Sequence, residues 1–283
     1  MRRVETIAAL RDAVAAWRAA GERVALVPTM GNLHRGHLAL VERAQALAQR
    51  VVVSVFVNPL QFDREDDLSA YPRTLEQDAV ALETVDADLL FAPPVSEVYP
   101  EGGSLTRIEV EGVTSMLEGA SRPGHFSGVA TVVAKLFNMV LPDVAVFGEK
   151  DYQQLLVIRR LVRDLNVPVE IEGVSTVREP DGLAMSSRNG YLNAGERRVA
   201  PRLQAVLSAL VAAVEAGTTD YRALEARAVS ALEADGFRPD YVTVRRAADL
   251  ERPGEDDRDL VVLAAAWLGR ARLIDNIPFT RQG

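Results

Sequence analysis

Val24-Ala-Leu-Val-Pro-Thr-Met-Gly-Asn-Leu-His34-Arg-Gly-His37-Leu-Ala-Leu-Val41 changes its hydrophobic period halfway along. Val24–Val27 is a short continuous apolar run, the pattern of a buried strand. Leu38, Val41, Ala44 and Ala48 then recur at helical spacing. The His-x-Gly-His signature therefore sits on a strand-to-helix turn, with His37 at or near the first helical turn. Backbone N–H groups and the positive end of the helix dipole are expected to face outward there, which suits an anion. Imidazoles add donors that can carry charge near neutral pH. Gly36 removes a side chain where a phosphate-bearing ligand has to approach the backbone. The ordinary alternative is a histidine that merely caps or is solvated, but two within four residues, in a chain with only three, weigh toward function.

The same alternation of strand and helix extends outward from this stretch. Thr6 to Ala20 carries Ile7, Leu10, Val14 and Trp17 on one face and is followed by Gly21, which marks a helix. A helix over 37–49 follows the signature turn, and Val51–Val57 is a continuous β-branched run of the kind found in central parallel strands. Helices are expected over 72–84, 128–140 and 152–164, and strands over 88–91, 144–147 and 169–177. This order implies an α/β fold, a Rossmann-like doubly wound parallel sheet, whose ligands bind beyond the carboxyl ends of the strands. After Arg178-Glu-Pro-Asp-Gly182 the character changes. Two Ala/Leu-rich amphipathic helices, about 195–216 and 221–235, precede strand-like runs at Tyr241–Arg245, Leu260–Trp267 and Arg272–Asp275. The division expected is a nucleotide-binding domain over 1–180 and a smaller C-terminal α+β domain over 181–283 that closes over the site.

Composition narrows the function classes. The chain has 283 residues, 48% of them apolar and 25% charged, with a net charge of −8, ordinary for a globular protein and unlike a nucleic-acid surface. There are no cysteines, so disulfides and thiolate chemistry are excluded. Met1-Arg-Arg leads into an amphipathic stretch rather than a leader, and no apolar run reaches the roughly 20 residues that span a bilayer. A cytoplasmic protein without membrane or nucleic-acid partners is expected. The basic residues number 32, yet only Lys135 and Lys150 are lysines. A compact ammonium kept in so arginine-rich a chain points to Lys150, whereas Lys135 is accounted for by drift.

Three further stretches fall where such a sheet places a ligand. Asn58-Pro-Leu-Gln61-Phe-Asp63 ends the strand at Val57, and its amides can orient a hydroxyl or carboxylate; for Asn58 alone, ordinary turn chemistry is the simpler account. Gly148-Glu149-Lys150-Asp151 opens a helix carrying Gln153 and Gln154, again an anion-type helix entry, with neither P-loop nor G-x-G-x-x-G spacing. Met185-Ser186-Ser187-Arg188-Asn189 offers two hydroxyls and a guanidinium that can clamp phosphates. Ser121-Arg122-Pro-Gly-His125-Phe places the third histidine in a Gly/Pro turn, so that all three histidines are expected in turns.

Pro28-Thr-Met-Gly…His34-x-Gly-His37, Phe56-Val-Asn-Pro-x-Gln61-Phe, Arg122-Pro-Gly-His125-Phe, Phe147-Gly-Glu-Lys-Asp-Tyr-Gln-Gln154 and Met185-Ser-Ser-Arg-Asn189 occur in register and in this order. Together they resemble the pantoate–β-alanine ligases, in the superfamily of nucleotidyltransferases with a His-x-Gly-His motif. The likeness runs from about residue 5 to the C-terminus. Asn32 stands where the family usually has Ala, and Arg35 where Glu is common; both are expected at outward turn positions with little consequence. The resemblance implies condensation of pantoate with β-alanine, using ATP and Mg²⁺, through an enzyme-bound pantoyl adenylate, with release of pyrophosphate and then AMP. It implies an ATP site built from Met30, Gly31, Asn32, Leu33, His34, Arg35, Gly36, His37, Gly148, Glu149, Lys150, Asp151, Val177, Met185, Ser186, Ser187 and Arg188. His37 is the implied acid or charge stabiliser, assisted by His34 and Lys150. Gln61, Gln154, Arg122, His125 and Asn58 are the implied substrate contacts. A homodimer is implied as well, and no protein ligand to Mg²⁺ is assigned, since an ion held through phosphates needs few. Segments 63–71 and 182–189 are the expected water-excluding closures.

Three alternatives share parts of this pattern. An adenylyltransferase releases pyrophosphate without AMP, and the paired glutamines and second domain argue against it. A class I aminoacyl-tRNA synthetase needs a basic RNA surface and greater length. A non-catalytic nucleotide-binding module binds ATP without pyrophosphate exchange, which the three turn histidines and the Lys150 loop make a poor account.

Overall fold

The computed structural model describes residues 1–62 and 65–281, which gather into two compact units. Among these residues, the first comprises 1–62, 65–149 and 153–175, the second 150–152 and 176–281.

The first unit is built on six parallel strands: β1 (Arg2–Val4), β2 (Val24–Thr29), β3 (Arg50–Val55), β4 (Leu89–Phe91), β5 (Val144–Gly148) and β6 (Glu170–Val174), in the order β1-β4-β3-β2-β5-β6. The central strands are apolar without alternation because helices cover both faces. Leu26, Val52 and Leu89 pack with Leu10 of helix Ile7–Ala19, Phe137 of helix His125–Val140 and Ile158 of helix Tyr152–Asp164. Ala25, Val27, Val51 and Leu90 pack on the other face with Val41 of helix Arg35–Leu47 and Leu82 of helix Leu75–Glu83. The chain lays β3, β4 and β1 on one side of β2 and β5 and β6 on the other. The strand order therefore reverses between β2 and β5. The signature turn leaves the carboxyl end of β2, and Gly148 closes β5, so both lie at the switch point where open α/β sheets bind ligands.

The second unit sets helices Arg202–Glu215 and Tyr221–Ala234 against an antiparallel sheet of β7 (Arg238–Arg246), β8 (Asp259–Leu268) and β9 (Ala271–Thr280), with Leu207, Leu232, Val244, Val262 and Leu273 in its core. No helix among the described residues is long and apolar enough to cross a membrane.

Several boundaries differ from the sequence expectation, each for a local reason. The single helix expected over 195–216 is two, Ala194–Val199 and Arg202–Glu215, because Pro201 cannot donate to a helical ladder. The helix expected from residue 128 begins at His125, entered through Gly124 at φ +80°. The strand expected over 169–177 stops at Val174. β1 lies outside the sequence expectation, since three residues with two arginines carry no hydrophobic period. Of segment 63–71, expected as a closure, 63–64 lies outside the described residues and Glu65–Ala70 is helical.

Candidate functional site

Backbone geometry at the signature turn is set by small and buried groups. Gly31 has φ +84°, and a Cβ there would lie 2.9 Å from Asp78 Oδ2 and 3.0 Å from Val55 Cγ1. Asn32 follows at φ +53°, a conformation asparagine tolerates better than most residues, so the departure from alanine at this position is conformationally apt. The carboxylate of Asp78, only 2% exposed, accepts the N–H groups of Asn32 (3.0 Å) and Leu33 (2.7 Å) and the Thr74 hydroxyl (3.3 Å). Arg35 is exposed and pairs with Glu42, farther along the same helix, at 2.6 Å.

The two histidines cap the helix reciprocally. His34 Nδ1 accepts the Gly36 N–H (3.2 Å), and His37 Nδ1 accepts the His34 N–H (3.2 Å). Their rings lie 4.1 Å apart. An Nδ1 that accepts a hydrogen bond carries no proton, so both rings take the neutral Nε2–H form. The N–H groups of Asn32, Leu33 and Gly36 are thus bonded inside the protein rather than facing outward.

The Asn58 turn meets the signature turn within the first unit. Gln61 Nε2 lies 3.1 Å from the Met30 sulfur, and Gln61 Oε1 accepts from Asn58 Nδ2 at 3.0 Å. Asn58, expected as a substrate contact, is 1% exposed and bonded to Gly128 O, to the Leu60 N–H and to the Tyr99 hydroxyl. These bonds fix the orientation of its amide. Burial pushes the Tyr99 phenol up to about 12. His125 and Arg122, expected to border the substrate pocket, both meet the Gln61 carbonyl. His125 Nδ1–H reaches it at 2.8 Å and Arg122 Nη2 at 3.4 Å, and His125 is 9% exposed in the first residue of its helix rather than in a turn. They brace the backbone that carries Gln61. Gly128 permits this packing, since a Cβ there would lie 2.3 Å from Leu60 O.

At the end of β5, Glu149 accepts the Ser175 hydroxyl at 3.3 Å. Of the two glutamines that follow, Gln153 is buried and bonds Val113 O, Met116 O and the Glu118 N–H, so it ties down residues 113–118. Gln154 is half-buried.

The second unit holds the remaining candidates. Lys150 Nζ lies 3.8 Å from Asp151 Oδ1, and Lys150 O accepts from Asn276 Nδ2 at 2.9 Å. Next to Asn276, buried Asp275 receives a two-pronged bond from Arg178 at 2.7 and 3.0 Å. Arg178 bridges Ala184, and the Met185 N–H bonds Val177 O at 2.9 Å. Ser186 Oγ then caps the short 3-10 turn Ser187–Tyr191 by accepting the Arg188 N–H. Segment 182–189 is thus fastened by its own backbone rather than left as a loose loop. Ser186, Ser187 and Arg188 are half-buried.

Asp78 and Tyr99 lie beyond the reach of the sequence patterns. Asp78 does leave a trace, an acid on the apolar stripe of Leu75 and Leu82; Tyr99 leaves none. No three metal-ligating side chains come together among the described residues.

Residues 2–278 match the family model described as pantoate-beta-alanine ligase. A pantothenate synthetase of Thioalkalivibrio sulfidiphilus is 63% identical over 98% of both chains. A crystal structure of the pantothenate synthetase of Thermus thermophilus superposes with a TM-score of 0.91 at 51% identity, covering 98% of this chain and 99% of that one. The pantoate-beta-alanine ligase of Francisella tularensis, crystallised with beta-gamma ATP and beta-alanine, aligns with a TM-score of 0.80 at 32% identity over 98% and 97%. With the model matched along nearly all of its length and the relatives covered almost end to end, the chain belongs to the pantoate–β-alanine ligase family and is a ligase of pantothenate biosynthesis.

Proposed function

We propose that the chain condenses pantoate and β-alanine through an enzyme-bound pantoyl adenylate made from MgATP. The pantoate carboxylate attacks the α-phosphorus and pyrophosphate leaves. The β-alanine amine then attacks the acyl carbon of the mixed anhydride, and AMP leaves. Bringing a carboxylate to a polyanion requires donors already in place where negative charge accumulates. His37 and His34 supply Nε2–H groups for this purpose, with His37 as the principal charge stabiliser. Lys150, Ser186, Ser187 and Arg188 supply further donors to the phosphates. Met30 to His37, Gly148 to Asp151, Val177 and Met185 complete the nucleotide contacts. Gln61 and Gln154 hold pantoate.

The observation that carries this reading is the pairing of the capped imidazoles with Gln61 through Met30, phosphate-type donors and a carboxylate-type donor on adjoining turns of one sheet. Domains over 1–180 and 181–283, the smaller closing over the site to exclude water, a homodimer and a cytoplasmic location belong to the same proposal. A pyrophosphate-release assay with each substrate omitted in turn tests it. AMP is expected only when ATP, pantoate and β-alanine are all present, with pyrophosphate already released when β-alanine alone is missing. AMP formation indifferent to pantoate would overturn it, and pyrophosphate without AMP in the full mixture would mark an adenylyltransferase.

A further inference from the structure

The buried polar chain Tyr99–Asn58–Gln61 has a hydrogen-bond polarity that its end point dictates. Asn58 Nδ2 lies 3.1 Å from Gly128 O and 3.0 Å from a side-chain atom of Gln61. A main-chain carbonyl only accepts, so this end of Asn58 has to be the NH₂. The Gln61 atom facing it is then the oxygen, and the Gln61 NH₂ is turned the other way. On the opposite side, Asn58 Oδ1 receives the Tyr99 hydroxyl at 2.9 Å and the Leu60 N–H at a longer 3.3 Å. Tyr99 and Asn58 are each 1% exposed and Gln61 7%, so water does not compete for these bonds. The protein partner at the far end is weak: Gln61 Nε2 meets the Met30 thioether at 3.1 Å, and thioethers are poor acceptors. A ligand oxygen replaces that partner at a gain.

We propose that the Tyr99 hydroxyl is a positioning and specificity-determining group: together with the Gly128 carbonyl it fixes Asn58, which holds the Gln61 amide so that only its NH₂ is offered, selecting an acid substrate that places an acceptor oxygen there. Tyr99 touches no reacting atom, and its effect passes wholly through Gln61. The inference rests on the proposed function, in which Gln61 contacts pantoate.

Tyr99→Phe keeps the ring and removes only the donor. Steady-state kinetics are expected to show KM for pantoate raised about 5- to 10-fold, the scale of one hydrogen bond, with kcat and KM for ATP within about 2-fold. In a Gln61→Met background, which keeps volume but offers no donor, the same substitution is expected to change KM for pantoate less than about 2-fold. Asn58→Asp cannot donate to Gln61 Oε1, so it turns the Gln61 NH₂ inward; a rise in pantoate KM larger than that of Tyr99→Phe is expected. A pantoate KM unmoved by Tyr99→Phe, an equal increment in the Gln61→Met background, or a parallel loss in all parameters with a fallen melting temperature would each overturn the proposal. A wild-type enzyme that releases no pyrophosphate in response to pantoate would instead remove the functional reading beneath it.

Discussion

Replacing Asp78 by Asn keeps the volume under Gly31 and removes one of two acceptors. In the wild type the two carboxylate oxygens take one backbone N–H each, from Asn32 and Leu33. The amide keeps one of these bonds and turns an NH₂ toward the other N–H, leaving a buried donor unpaired. A bond to a charged acceptor contributes about 1.5–3 kcal/mol, and the loss is partly offset because no charge stays buried. A net cost of about 2 kcal/mol follows, or roughly 4–8 °C in melting temperature for a unit of this size. The catalytic consequence is larger in proportion. The turn presents His34 and His37, and an ångström-scale displacement of positioned groups costs on the order of 100-fold in rate. Single-turnover pyrophosphate release with saturating ATP and pantoate, measured beside thermal unfolding, is the assay. Turnover of Asp78→Asn within about 3-fold of wild type would refute the argument that this carboxylate sets the geometry of the turn.

Other expectations follow from contacts already described. His37→Ala is expected to lose at least ~100-fold in adenylate formation, the scale of a positioned donor; near-normal turnover would remove its assigned role. Gly31→Ala forces a Cβ to 2.9 Å from Asp78 Oδ2 at a positive φ, so its melting temperature should fall below that of Asp78→Asn, and a neutral result would mean that the turn relaxes freely. Tyr99, at about 12 when folded against about 10 unfolded, favours the folded state fully below pH 10, and this contribution is lost as pH rises from 10 to 12. Denaturant melts across that range should show a shallower decline for Tyr99→Phe than for wild type. Asp275→Asn leaves Arg178 without its charge partner; since Arg178 is 24% exposed, a cost of about 2–3 kcal/mol is expected, below that for a fully buried pair, and urea unfolding followed at Trp267 measures it.

What could be read from the sequence was decided by how local its cause is. β2, β3 and β5 are legible because strands covered on both faces need uninterrupted apolar runs. The turns that carry Met30, Gln61, Gly148 and Ser186 are legible because glycine, proline and polar residues interrupt those runs at strand ends. Asp78 and Tyr99 act across 45 and 41 residues of chain, through bonds that no spacing rule encodes. His125 shows the converse error. Its Gly/Pro surroundings look like a loop, yet Gly124 at φ +80° launches a helix and buries the ring.

The reciprocal histidine cap makes each imidazole a fastener as well as a signature residue. Each Nδ1 receives a main-chain N–H at the start of the helix, so trimming either ring to alanine frays that end by the same change that deletes the side chain. Amide exchange at Gly36 should quicken in His34→Ala, and unchanged exchange would mean that the turn holds itself without the ring.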